Sequence, residues 1–258
     1  ETIGKRPKIT RFVEHKPVSA VHVRDRVGLG VACCRFNGDR PEILMVCKRY
    51  TYSYNIFVCG KYNSGNNGEI IELLNGMTIE EKHDLLSMNF VQIWYRIWLN
   101  MTNHSSAFFM AKNKFENTFV VDNGVRLARL ISKSTHSSRV WEIPKGRKKN
   151  KSEADIHCAV REFGEETKKK KKSYKVFMSA RRSYTYIDAG VKYTNIYYLA
   201  YTRPNTEPRV NFRSREQVEE VADVRWMNIE NIRIIDQDGR LEKFIRPIFR
   251  YMKRVRSG

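Results

Sequence analysis

The strongest constraint on the fold is a change of periodicity that happens twice. From Val27 the runs VGLGVACCRF and EILMVCKRY are short, β-branched and apolar, and Asn37-Gly38-Asp39 between them is a hairpin signal, so two antiparallel strands are expected. The tyrosine-rich stretch from Tyr50 to Cys59 predicts another strand or an extended crossing, and NSGNNG after it predicts a loop. Then the period becomes helical. A short helix is expected over Glu69 to Leu74, and Thr78 with Glu81 gives a capping-box pattern for a helix through Asp84, Leu85 and Leu86. Phe90, Ile93, Trp94, Ile97 and Trp98 recur at spacings of three and four, as Val125, Leu127, Leu130 and Ile131 do less strictly. These stripes predict a helical core rather than a cofactor-stacking role for the tryptophans. Strand texture returns at Arg139 to Ile143 and in KVFMSA, RSYTYI, TNIYYLAYT and VADVRWM, before a last helix over Leu241 to Val255 that contains Pro247. This order predicts an α/β protein, a mixed sheet packed between helices, with an α-helical domain inserted into it. The expected boundaries are a basic arm over residues 1–26, first strands over 27–50, the helical insert over 51–137 and the rest of the sheet domain over 138–258.

Charge narrows the partner. The 258 residues carry 48 Lys and Arg against 28 Asp and Glu, a formal net charge of +20, which draws polyanions such as RNA, DNA or a polyphosphate. No apolar run approaches the roughly 18–20 residues of a bilayer span, so no membrane span is expected. The stretch ETIGKRPKIT lacks the apolar core of a signal peptide, and the expectation is a soluble, cytoplasmic protein. Cys33, Cys34, Cys47, Cys59 and Cys158 are odd in number and lack C-x-x-C spacing, so they are expected to be reduced thiols rather than a disulfide framework or zinc site.

Within this basic chain, VWEIPKGRKKNKSEADIHCAVREFGEETKKKKK gathers Glu153, Glu162, Glu165 and Glu166. On a helix starting near Ser152 or Glu153, residues three and four apart share a face, so Glu162, Glu165 and Glu166 project side by side and repel one another. Two readings follow from spacing alone. One is a solvated acidic face paired with lysines; the other is a set of hard oxygen ligands for Mg²⁺ or Mn²⁺.

The wider pattern bears on that choice. Gly146, six residues, Glu153, seven residues, then Arg161-Glu162-Phe163-Gly164-Glu165-Glu166 resembles the Nudix box, G-x5-E-x7-R-E-U-x-E-E-x-G-U with U aliphatic, over residues 146–169. The resemblance implies a Nudix fold, and it places Glu162, Glu165 and Glu166 at the metals, together with the backbone carbonyl of Lys145. It sets Glu153 against Arg161 as a bracing ion pair. Two departures stand out: the first spacer has six residues rather than five, and Lys168, opening the run Lys168 to Lys172, replaces the closing glycine. Glu220-Val-Ala-Asp-Val-Arg-Trp226 resembles the E-[IV]-x-x-[IV]-x-W segment of the decapping branch of the family, which makes Glu220 a fourth ligand or general base, with Glu219 the next candidate.

An insert within the fold, together with KRYTYSYNIF, IWYRIW and WEIPKGRKKNK, resembles the mRNA-decapping Nudix enzymes of large cytoplasmic DNA viruses, and points to a giant-virus relative. That likeness implies capped mRNA as substrate in the host cytoplasm, released as methylated GDP and 5′-monophosphate RNA. Diphosphoinositol polyphosphates are the alternative substrate, and a catalytically dead RNA-binding protein the second alternative. Methylated guanine is flat and cationic, so Tyr52 and Tyr54, after Lys48-Arg49, are candidate stacking residues, with Tyr197 a partner. Candidate phosphate contacts are Lys112, Lys114, Arg126, Arg129 and Lys133 on the insert, with Lys145, Arg147, Lys148, Lys149 and Lys151 near the box. The oligomeric state stays open.

Overall fold

The computed structural model describes residues 24–99, 105–188, 191–203, 207–211, 213–236 and 238–257. The expected basic arm lies outside them except for Arg24, Asp25 and Arg26, which open the first strand.

Strand β1 (Arg24–Asn37) turns at Gly38, in the left-handed region at φ 58°, into antiparallel β2 (Arg40–Lys48). The Asn-Gly-Asp signal is therefore borne out. Six helices follow: α1 (Tyr52–Val58), α2 (Asn67–Asn75), α3 (Ile79–Ser87), α4 (Phe90–Trp98), α5 (Ser106–Phe115) with a π-helical turn over Glu116–Val120, and α6 (Val125–Ser132). They bury Tyr54, Phe57, Ile70, Leu74, Ile93 and Phe119 in a core of their own. The chain then returns through the short strands β3 (Trp141–Glu142) and β4 (Lys145–Gly146) to helix α7 (Asp155–Thr167). After it come β5 (Lys175–Asp188), β6 (Val191–Tyr201), α8 (Arg215–Glu220), β7 (Val221–Met227), α9 (Ile229–Ile235) and α10 (Arg240–Ser257).

One mixed sheet joins the seven described strands in the order β3-β2-β1-β6-β5, with β4 also on β1 and β7 also on β2. Among the described strands only β1 and β6 pair in parallel. Alternation on β1 and β2 sends Leu29, Val31, Cys33, Leu44 and Val46 to the face covered by α7, and Ala32, Cys34, Phe36, Ile43 and Met45 to the face covered by α9 and α10. Both faces are buried, which is why these strands read as unbroken apolar runs. All five cysteines are free thiols.

Three local expectations are corrected. Residues 52–58 form a helix rather than a strand, because Thr51 caps it: its hydroxyl accepts from the Tyr54 amide at 3.2 Å. The box helix starts at Asp155, not near Ser152, since Asn150 Oδ1 accepts from the amides of Ser152 (3.1 Å) and Glu153 (2.9 Å) and holds them in a turn. KVFMSA and RSYTYI are one strand with an irregularity between Val176 and Arg181, rather than two.

Candidate active site

The box helix α7 carries Arg161, Glu162, Glu165 and Glu166 along one flank, with Glu166 buried and the other three half-buried, while Cys158, Ala159 and Phe163 anchor the helix on the sheet. Arg161 organises the acids. Its guanidinium donates to Glu153 Oε1 (2.8 Å) and Oε2 (3.0 Å), to Glu162 Oε1 (2.7 Å), to Glu165 Oε2 (3.0 Å) and to the Arg147 carbonyl (2.9 Å). The Glu153–Arg161 brace is therefore formed, and it holds the Glu153 carboxyl down at about 2. Glu162 lies flat on Gly146, where any Cβ would collide with its carboxyl carbon. That contact is the physical reason for glycine at 146.

Glu166 is buried and sits at the end of the sheet. Its Oε1 accepts from Lys48 Nζ at 2.6 Å and its Oε2 from the Lys145 amide at 3.0 Å, while Gln217 Nε2 donates to its carbonyl at 2.8 Å. Burial pushes the Glu166 carboxyl up to about 7 despite Lys48. Burial also raises Glu162. The Lys48 ammonium reaches Glu142 (3.4 Å) and Glu220 (3.5 Å) as well, so three carboxylates meet on one cation. Burial pulls its pKa down, but Glu142 and Glu166 outweigh that and hold it charged. Glu220 is the last residue of α8, just ahead of β7, and its carbonyl accepts from the Arg49 amide at 2.9 Å. Among the described residues no three acidic, His or Cys side chains stand as a preformed metal cage; the acids are instead compensated by Lys48 and Arg161.

Tyr52 flanks this cluster. Its hydroxyl donates to Glu142 Oε2 at 2.9 Å, and Lys145 Nζ bridges Glu142 (2.6 Å) and that hydroxyl (3.5 Å). Although 52% of the residue is exposed, its tip is enclosed, and burial followed by Glu142 pushes the phenol up to about 12. Tyr197 is buried, and it packs with the Lys145 stem against Gly30. Tyr54 is fully buried in the insert core, so it offers no face to a ligand.

The basic candidates divide. Lys114 donates to the carbonyls of Gly60 (2.8 Å) and Tyr62, and Arg126 to Ser64 O (2.5 Å) and Asn67 Oδ1 (2.8 Å), so both staple the insert together. Lys112 lies 3.9 Å from Glu116, while Arg129 and Lys133 are exposed. Near the box, Lys148 pairs with Asp155 (2.6 Å) and Lys149 with Glu165 (3.2 Å), and Arg147 and Lys151 are exposed. Sequence reasoning missed Glu142, Gln217 and the role of Lys48. The one available signal was an acid inside the apolar run VWEIP.

Residues 118–252 match the NUDIX domain family, and the chain belongs to the Nudix family: it is a Nudix hydrolase. Members of that family generally use divalent metal ions. The chain is 32% identical over 238 residues to the mRNA-decapping protein g5R of African swine fever virus, Badajoz strain, covering 88% of this chain and 94% of that protein. A protein of Acanthamoeba polyphaga mimivirus with a provisional mRNA-decapping name is 30% identical over 191 residues, covering 63% of this chain and 52% of that protein. The Ap4A hydrolase of C. elegans superposes with a TM-score of 0.46 at 12% identity, covering 88% of this chain and 96% of that one. No described helix is long and apolar enough to cross a membrane.

Proposed function

We propose that this chain is an mRNA-decapping pyrophosphohydrolase that releases methylated GDP and 5′-monophosphate RNA from capped transcripts in the host cytoplasm. The observation that carries the reading is the meeting of Glu166, Glu142 and Glu220 on one cation directly beside the half-exposed ring of Tyr52. Residues 27–50 and 138–258 form the catalytic domain in this reading, and residues 51–137 an RNA-binding insert.

The donor set fits Mg²⁺ or Mn²⁺, because its oxygens are hard and Lys48 already places positive charge where the carboxylates meet. Glu162, Glu165, Glu166 and Glu220, with the Lys145 carbonyl, would hold such an ion in exchange for their side-chain cations. When bound, it supplies charge to the phosphate oxygens and lowers the pKa of an attacking water. Glu165 or Glu220 takes the proton from that water, being far more open than Glu166: their side chains are 33% and 61% exposed against 3%. Tyr52 stacks on methylated guanine with its ring orientation fixed by Glu142 and Lys145, and Tyr197 supports it. Lys112, Arg129, Lys133, Arg147 and Lys151 take RNA phosphates.

Cap-labelled RNA with Mn²⁺ tests the assignment. Glu165→Gln and Glu166→Gln are expected to abolish hydrolysis while RNA binding persists; wild-type turnover in both would overturn it. Tyr52 separates the substrates. Tyr52→Ala should lower cleavage of methyl-capped RNA by about five- to a hundred-fold, and Tyr52→Phe should keep most of it. Diphosphoinositol polyphosphates carry no cationic ring, so an equal loss on them, with a lower melting temperature, would make Tyr52 a structural residue and move the cap clamp elsewhere.

A further inference from the structure

From Tyr197 a continuous ladder of rings leads away from the reacting carboxylates. Tyr197 meets Phe244 of α10 at 5.5 Å, Phe244 meets Tyr184 at 5.9 Å, Tyr184 meets Tyr186 at 5.6 Å, and Tyr186 lies parallel to Tyr193 at 5.0 Å and 9°. Register explains the alignment. β5 pairs Arg182 with Tyr197, Tyr184 with Asn195 and Tyr186 with Tyr193, so these alternate residues share one face of the hairpin. Along that face Tyr184, Tyr186 and Tyr193 are only half-buried.

Cations accompany the rings. Arg26 of β1 lies 5.7 Å over Tyr193 and donates to its hydroxyl at 3.5 Å. Arg182 lies 5.7 Å over Phe244, and its Nε is buried without a hydrogen-bond partner among the described residues. Burial, and then the nearby Arg250, push its pKa down, so the charge is poorly compensated. Rings that only stiffened a hairpin would not need an under-compensated guanidinium beside them. Aromatic faces joined to unsatisfied positive charge are the chemistry that holds single-stranded nucleic acid without reading its sequence.

We propose that this face of the β5–β6 hairpin is the track for the first transcribed nucleotides, with bases packing along the ring ladder that the stacked Tyr186–Tyr193 pair ends and phosphates against Arg26 and Arg182. The inference rests on the decapping reading above and deepens it by giving the RNA body a path. Tyr193 lies four residues along β6 from Tyr197, about 13 Å, so a bare cap dinucleotide held at Tyr52 would not reach it.

The test compares a methylated cap dinucleotide with an unstructured, methyl-capped 20-nucleotide RNA. Tyr186→Leu with Tyr193→Leu keeps apolar bulk and removes the rings. This pair should weaken binding of the RNA, followed by fluorescence anisotropy, by about five- to a hundred-fold per lost stack, while hydrolysis of the dinucleotide stays at the wild-type rate. The paired Tyr→Phe substitutions should bind RNA as wild type does. Unchanged RNA affinity in the leucine pair, or equal loss in the phenylalanine pair, overturns the track. Should the leucine pair fail to fold, photocrosslinking of wild-type protein to 4-thiouridine RNA decides: adducts on Arg182, Tyr184, Tyr186 or Tyr193 support the proposal, and adducts confined to the insert overturn it. If the wild-type protein does not cleave capped RNA at all, the decapping reading falls, while anisotropy and crosslinking still judge the track.

Discussion

At Lys168 the box helix ends in a left-handed residue, φ 54° and ψ 16°, where the family pattern has glycine. A lysine pays for that conformation through its Cβ, by roughly 1 kcal/mol relative to glycine. Lys168→Gly is therefore expected to raise stability by about that amount, read as a higher urea midpoint at unchanged slope; a lower midpoint would show that the lysine head contributes more than its backbone costs. The neighbouring lysines serve differently, with Lys169 lying 5.6 Å over Trp226 and Lys170, Lys171 and Lys172 exposed. The missing glycine and the four glutamates were legible in the sequence because helical spacing is a local property. Lys48, Glu142 and Gln217 were not. Lys48 stands 118 residues from Glu166 and Gln217 stands 51, and no periodicity records which distant strand end brings a cation to a buried acid.

Among the elements, α1 shows how a distant cap overrides a local preference. Tyr, Ile, Phe and Val favour strands, which is why residues 52–58 read as extended. The Glu81 carboxylate reverses this: it accepts from the Thr78 amide (2.9 Å) in its own capping box and from the Thr51 amide (2.6 Å) and hydroxyl (2.7 Å) at the start of α1. One buried side chain thus fixes the first turns of two helices. Glu81→Ala should cost about 1–3 kcal/mol by leaving buried donors unmet, and amides of residues 52–58 should exchange faster with solvent. Protection unchanged in α1 would mean that packing of Phe57 and Val58 holds the helix alone. The capping box itself was visible in the sequence; its second customer, 30 residues away, was not. The hairpin, the apolar stripe of α4 and the amphipathic α10 were all legible, since each turn signal or period lies within one element.

For the whole molecule, the net charge of +20 is distributed unevenly in its duties. Lys114 and Arg126 bind backbone carbonyls of the insert, whereas Arg129 and Lys133 face solvent. Arg129→Glu with Lys133→Glu should lower the salt dependence of RNA binding by about 0.7 per lost phosphate contact and leave the melting temperature nearly unchanged. Lys114→Glu should do the reverse, lowering the melting temperature first. An unchanged salt slope in the double variant would return both residues to plain surface charge. The parallel pairing of β1 with β6 has a consequence in time. Eleven registered pairs join Arg24–Cys34 to Val191–Tyr201, whereas β1 shares four with β2. At about 5–20 residues per second, a ribosome needs roughly 8 to 30 seconds to travel from the end of β2 to the end of β6. The insert's core, from Tyr54 to Leu130, lies within one contiguous stretch, so it can fold during that interval, while the nascent β1 keeps an open edge until β6 emerges.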